Sequence, residues 1–64
     1  MKIKVYDYDL KGSFGFIEVN PKYVRMMQEH LHKNKIKFYW LWIEGFDGYI
    51  INQKDYLKLK DKIN

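Results

Sequence analysis

The chain opens on strict alternation. Lys2-Ile3-Lys4-Val5-Tyr6 switches between polar and apolar side chains at almost every step, which is the period of a strand, and the segment predicted runs over residues 2–10. Lys11-Gly12-Ser13-Phe14-Gly15 reads as a glycine-punctuated turn, and Phe16-Ile17-Glu18-Val19 as a second strand. Asn20 then stands as a helix N-cap with Pro21 as first helical residue, where the missing N–H of proline costs nothing. Tyr23, Val24, Met27 and Leu31 fall on one face at helical spacing, which predicts a helix to about His32. The second half reads in the same order. Lys35 to Ile43 is a strand, Glu44-Gly45-Phe46-Asp47-Gly48 a turn, and Tyr49 to Ile51 a return strand. Asn52 caps a final helix with Asp55 three residues on, and Tyr56, Leu59 and Ile63 form its apolar stripe.

The two halves also match residue by residue. At an offset of 33, Lys2-Ile3-Lys4-Val5-Tyr6 lies over Lys35-Ile36-Lys37-Phe38-Tyr39, Gly12 over Gly45, Gly15 over Gly48, Ile17 over Ile50 and Tyr23 over Tyr56. Eight of thirty aligned positions are identical. The expectation is therefore an α+β single domain over residues 1–64, built from ββα units at 2–32 and 35–64 with pseudo-two-fold symmetry. One antiparallel four-stranded sheet with both helices on one face is the economical packing, with residues 14–19 and 49–52 central. That connectivity resembles a ferredoxin-like domain, permuted.

Alternate strand residues point to opposite faces. If the aliphatic set meets the helices, the open face presents Lys2, Lys4, Lys35 and Lys37 around Tyr6, Tyr8, Tyr39, Phe16 and Tyr49, with Phe14 beside them. Aromatics on a flat sheet stack against bases, and lysines neutralise phosphates. The same surface equally suits a protein partner or a homodimer seam, because a large apolar surface is seldom left bare. Phe38-Tyr39-Trp40-Leu41-Trp42-Ile43 has no polar face at all and must be covered on both sides. Trp40 and Trp42 read as core.

Phe14-Gly15-Phe16-Ile17-Glu18-Val19 resembles the last six residues of the RNP1 motif of RNA-recognition-motif domains, and cold-shock domains carry a similar Lys-Gly-Phe-Gly-Phe-Ile. Here Ser13 displaces the Lys11-Gly12 pair, and Val19 replaces the terminal aromatic of RNP1. The resemblance covers about a tenth of the chain, and it implies that Phe14 and Phe16 stack on bases.

Composition narrows the picture. In 64 residues there are twelve aromatics, no cysteine and one proline, so the core rests on large side chains without disulfide or cysteine–zinc support. The formal charge is +4, with net +1 in residues 1–32 and net +3 in residues 33–64. Lys54, Lys58 and Lys62 recur along one helix face. No apolar run reaches the ~20 residues of a membrane span, and the first residues lack the apolar core of a signal peptide, so a cytoplasmic location is expected. Abundant Lys, Ile, Asn and Tyr with no alanine suggest an AT-rich coding genome, bacterial or phage.

Catalytic and metal chemistry find little to work with. His30 and His32 point apart on a helix, Asp7, Asp9 and Asp47 are an incomplete cation set, and Ser13 has no base. No catalytic residue, metal or cofactor is expected. The residues instead predict a small non-enzymatic module binding single-stranded RNA or DNA. The alternative is a protein-binding regulator or inhibitor, phage-encoded by its composition, using the same face for a partner or for homodimerisation.

Overall fold

The computed structural model describes residues 1–7, 12–46 and 48–63. Five antiparallel strands form one sheet in the order β2-β1-β5-β4-β3. They are β1 (Lys2–Tyr6), β2 (Ser13–Glu18), β3 (Val24–His32), β4 (Lys35–Ile43) and β5 (Gly48–Ile51). A single helix, α1 (Gln53–Ile63), follows. Among the described residues no helix is long and apolar enough to cross a membrane.

This overturns the expected four-stranded sheet with two helices. Residues 24–32 are a strand, so the sequence similarity of the two halves does not extend to a repeated ββα structure. Asn20 does cap, its Oδ1 accepting the Lys22 N–H at 3.0 Å, and Pro21 does open a helical turn. That turn is one 3₁₀ turn, Pro21–Tyr23, and Val24 already has extended backbone at φ −73, ψ 122. From there the chain enters a long hairpin with β4, closed by Lys33 and Asn34 at φ 52 and 65. Two successive left-handed residues are the signature of a type I′ turn, whose twist matches paired strands. β2 also lies at a sheet edge, whereas residues 14–19 were expected in the centre; β5 is central as expected.

The helical spacing in residues 23–31 has a structural cause. The β3–β4 register shifts between Val24 and Met26 and again between His30 and Leu31. The first shift makes Arg25 an extra residue on β3, so Val24 and Met27 reach the same face three positions apart. A bulged strand thereby imitates the period of a helix.

The core lies between the sheet and α1. Ile3, Val5, Tyr39, Leu41 and Ile51 from the strands, with Val19 just after β2, meet Tyr56 and Leu59 from the helix. Tyr39 and Tyr56 stack with ring centroids 4.2 Å apart. The helix start ties strands together. Asn52 Oδ1 accepts the Asp55 N–H at 2.8 Å, and Asn52 Nδ2 donates to the Tyr6 hydroxyl at 2.9 Å. Asp55 Oδ2 accepts the Lys4 N–H, at 3.4 Å. These bonds sit at the seam between β1 and β5, where Tyr6 pairs with Ile50.

Candidate nucleic-acid interface

The sheet face turned away from α1 follows from the alternation. Because Tyr39, Leu41 and Ile51 point into the helix-side core, Phe38, Trp40, Trp42 and Ile50 point the other way. Register carries this face across the sheet: Gln28 lies beside Trp40, Trp40 beside Ile50, and Ile50 beside Tyr6. On β1, Lys2 and Lys4 share the face with Tyr6, and Lys4 pairs with Phe16 on β2.

Two cations are already posed over rings. Lys2 Nζ is 5.6 Å from the Phe16 ring centroid and Lys4 Nζ 5.4 Å from that of Tyr6. Phe16 is 60% exposed, so its ring is open to a second stacking partner. Along β4 the aromatics form a ladder. His30 stacks on Phe38 at 4.3 Å, Trp40 meets Phe38 edge-on at 5.5 Å, and Trp40 and Trp42 stack at 5.6 Å. Phe38 and Ile50 are buried while both indoles are half-buried. Gly48 faces Trp42 across the β4–β5 ladder, where an added Cβ would come within 2.8 Å of the indole Nε1. Glycine there lets the indole lie against the backbone of β5.

The Met1 ammonium donates to Glu18 Oε1 and to the Val19 carbonyl, both at 2.8 Å. This ammonium, helped by Lys2, holds the Glu18 carboxyl below its ordinary value. The Glu18 carboxylate is thereby matched, and Lys2 and Lys4 lie on the same face.

The ten residues expected to share one surface are divided. Lys2, Lys4, Tyr6 and Phe16 gather on the open face. Phe14 is 79% exposed at the β2 edge, in a bulge where Gly15 takes φ +101. Lys35 and Lys37 are exposed near the hairpin tip, at the start of β4. Tyr39 is buried against Tyr56, and Tyr49 packs against the helix-side core, so neither lies on the open face. Tyr8 falls outside the described residues, as do Asp9 and Asp47. Asp7 Oδ1 accepts the Gly12 N–H at 3.0 Å.

Trp40, Trp42, His30 and Gln28 were missed. Aligning the halves had placed Tyr39 where Tyr6 sits, yet the sheet places Trp40 in that row. The adjacent apolar pair Ile50-Ile51, buried on opposite faces, was the available sign that both faces of this sheet carry apolar side chains. Among the described residues no group of three or more His, Asp or Glu side chains could hold a metal ion. Comparison with protein families, curated proteins and solved structures gave no match.

Proposed function

We propose that this protein is a small binding module for single-stranded nucleic acid, using the sheet face opposite α1. The observation that carries the reading is the juxtaposition on one face of Phe16, Tyr6, Trp40 and Trp42 with Lys2 and Lys4. Exposed rings offer stacking that is indifferent to base identity, and lysines beside them meet the phosphates between bases. Five strands spaced ~4.8 Å apart give a face ~19 Å wide, enough for a short run of nucleotides.

The test is fluorescence anisotropy with labelled single-stranded oligonucleotides. Phe16→Ala and Trp40→Ala should each weaken binding by about 1–3 kcal/mol. Phe16 is largely exposed, so its replacement should leave the unfolding midpoint nearly unchanged. Binding that ignores both changes, or no binding at all, would sink the reading.

A second reading has its own observation. Met26, Leu31, Ile36 and Phe46 are each at least 46% exposed, and β3 is an unpaired edge strand among the described residues. Such an edge suits strand addition by a protein partner or a second copy. Light scattering across concentration separates that outcome: a dimer indifferent to oligonucleotide would favour it.

A further inference from the structure

On the helix side, β3 is only half covered. Val24 and Met27 pack against the core, and with Lys60 and Ile63 of α1 they line a groove of about 240 Å³. Farther along the strand, Glu29 and Leu31 are exposed. Both point to this side. Glu29 pairs with Tyr39, and Leu31 pairs with Ile36 directly after His30, which stacks on Phe38 on the open face. The outer edge of β3 carries no strand among the described residues, so its backbone groups are free to pair with another chain. Arg25 is the only Lys or Arg in the strand and Glu29 the only Asp or Glu. Neither makes an ion pair among the described residues.

We infer that the occupant of this edge is a second copy of the chain, with β3 laid antiparallel on β3 about Met27; the inference rests on the strand-addition reading above. The strand is complementary to itself in that register. Met27 meets Met27, Met26 meets Gln28, and Arg25 comes across from Glu29, twice by symmetry. The extra residue at the bulge leaves Val24 and Arg25 together opposite Glu29 of the copy. Other centres lose this match. Centring on Gln28 sets each carboxylate against Met27, and centring on Glu29 opposes two carboxylates, which is destabilising. The pairing also covers what each copy leaves bare. The hairpin tip of one copy runs past the start of β3 in the other, which brings Leu31 toward Tyr23 of the 3₁₀ turn and Ile63 at the end of α1, all three exposed. Residues directly across from each other share a face of the sheet, so both helices lie on one side. The two open faces then form one continuous surface.

The experiment follows the mass of the full chain by sedimentation velocity across concentration, where a dimer is expected. Arg25→Glu and Glu29→Arg should each weaken it about tenfold, since each sets like charges across the seam at two symmetric places. The double swap, Arg25→Glu with Glu29→Arg, restores opposite charges and should recover the original affinity. Both side chains are exposed, so the far-ultraviolet spectra of the three variants should match that of the parent chain. A chain that stays monomeric at millimolar concentration overturns self-pairing and leaves the edge open to a different protein. A dimer weakened by both reversals and not recovered by the swap overturns the Met27 register. A dimer indifferent to all three variants is built on another surface, and it removes the second-copy form of the strand-addition reading along with this inference.

Discussion

Glu18 shows how little one residue needs in order to be tuned. It is fully exposed, yet the Met1 ammonium 2.8 Å from its Oε1 stabilises the charged form. The folded carboxyl therefore titrates below its ordinary value of 4.5. A carboxylate lowered on folding contributes stability above its unfolded pKa and loses it as pH falls through the lowered, folded value. Following the Glu18 carboxyl by NMR should give a midpoint under the ordinary one. Acetylating the Met1 amine should return that midpoint to the usual range. A midpoint that stays low after acetylation would assign the effect to Lys2 instead. Solvent screening keeps the energetic weight of such a pair small, so the titration and not the melting curve is the informative readout.

At the scale of elements, β3 was the segment least legible in the sequence, whereas β4 was read with the bounds it has. Strand β1 was readable because Ile3 and Val5 alternate cleanly with lysines and are buried at that period. Helix α1 was readable from Asn52, Asp55 and the spacing of Tyr56 and Leu59, and the cap bond to Asn52 is present. Residues 24–32 instead carry a bulge at Arg25 that shifts the apolar period away from two, and Asn20-Pro21 truly starts a helical turn before them. Local signals thus agreed on a helix, and pairing with β4 overrode them. The site followed the same error. Knowing that β4 pairs with β5 in the register Trp40 to Ile50 is what moves the indoles onto the open face, and no local pattern states a register. The turn gives a direct test. Lys33 and Asn34 both hold positive φ, so Lys33→Asn with Asn34→Gly should fit the turn better. A gain of about 1 kcal/mol, or roughly 4–8 °C in Tm, is expected by thermal unfolding. A Tm that falls would argue against the left-handed pair.

At the scale of the whole molecule, charge and aromatic surface are arranged on different principles. The net +4 is spread over loops and α1 as well as the open face, so bulk charge does not locate the site. The small core uses Tyr39 and Tyr56, while Tyr6, Phe16, Trp40 and Trp42 lie on the open face. The ionic contribution should consequently be modest. If Lys2 and Lys4 are the cations that engage phosphates, log affinity should fall with log salt at a slope of about −1.4, from ~0.7 per contact on single strands. Replacing both with alanine should flatten that line. A slope several times steeper would mean that α1 or the hairpin tip carries the backbone, and would move the interface off the sheet.

The position of β5 bears on how the molecule comes together in time. β1–β2 and β3–β4 are each antiparallel pairs of strands adjacent in the chain, so each can nucleate alone with little loop-closure entropy. β5 follows β4 through a short turn and pairs with it on one side and with β1 on the other, so it is the strand that joins the two ends of the chain. The last strand is thus a keystone. It joins the two hairpins across a junction that Asn52 and Asp55 at the helix start tie to Tyr6 and Lys4. Any state in which β1 has not docked on β5 leaves an inner strand edge on each side open to misassociation, and the narrow β1–β5 junction is where such opening costs least.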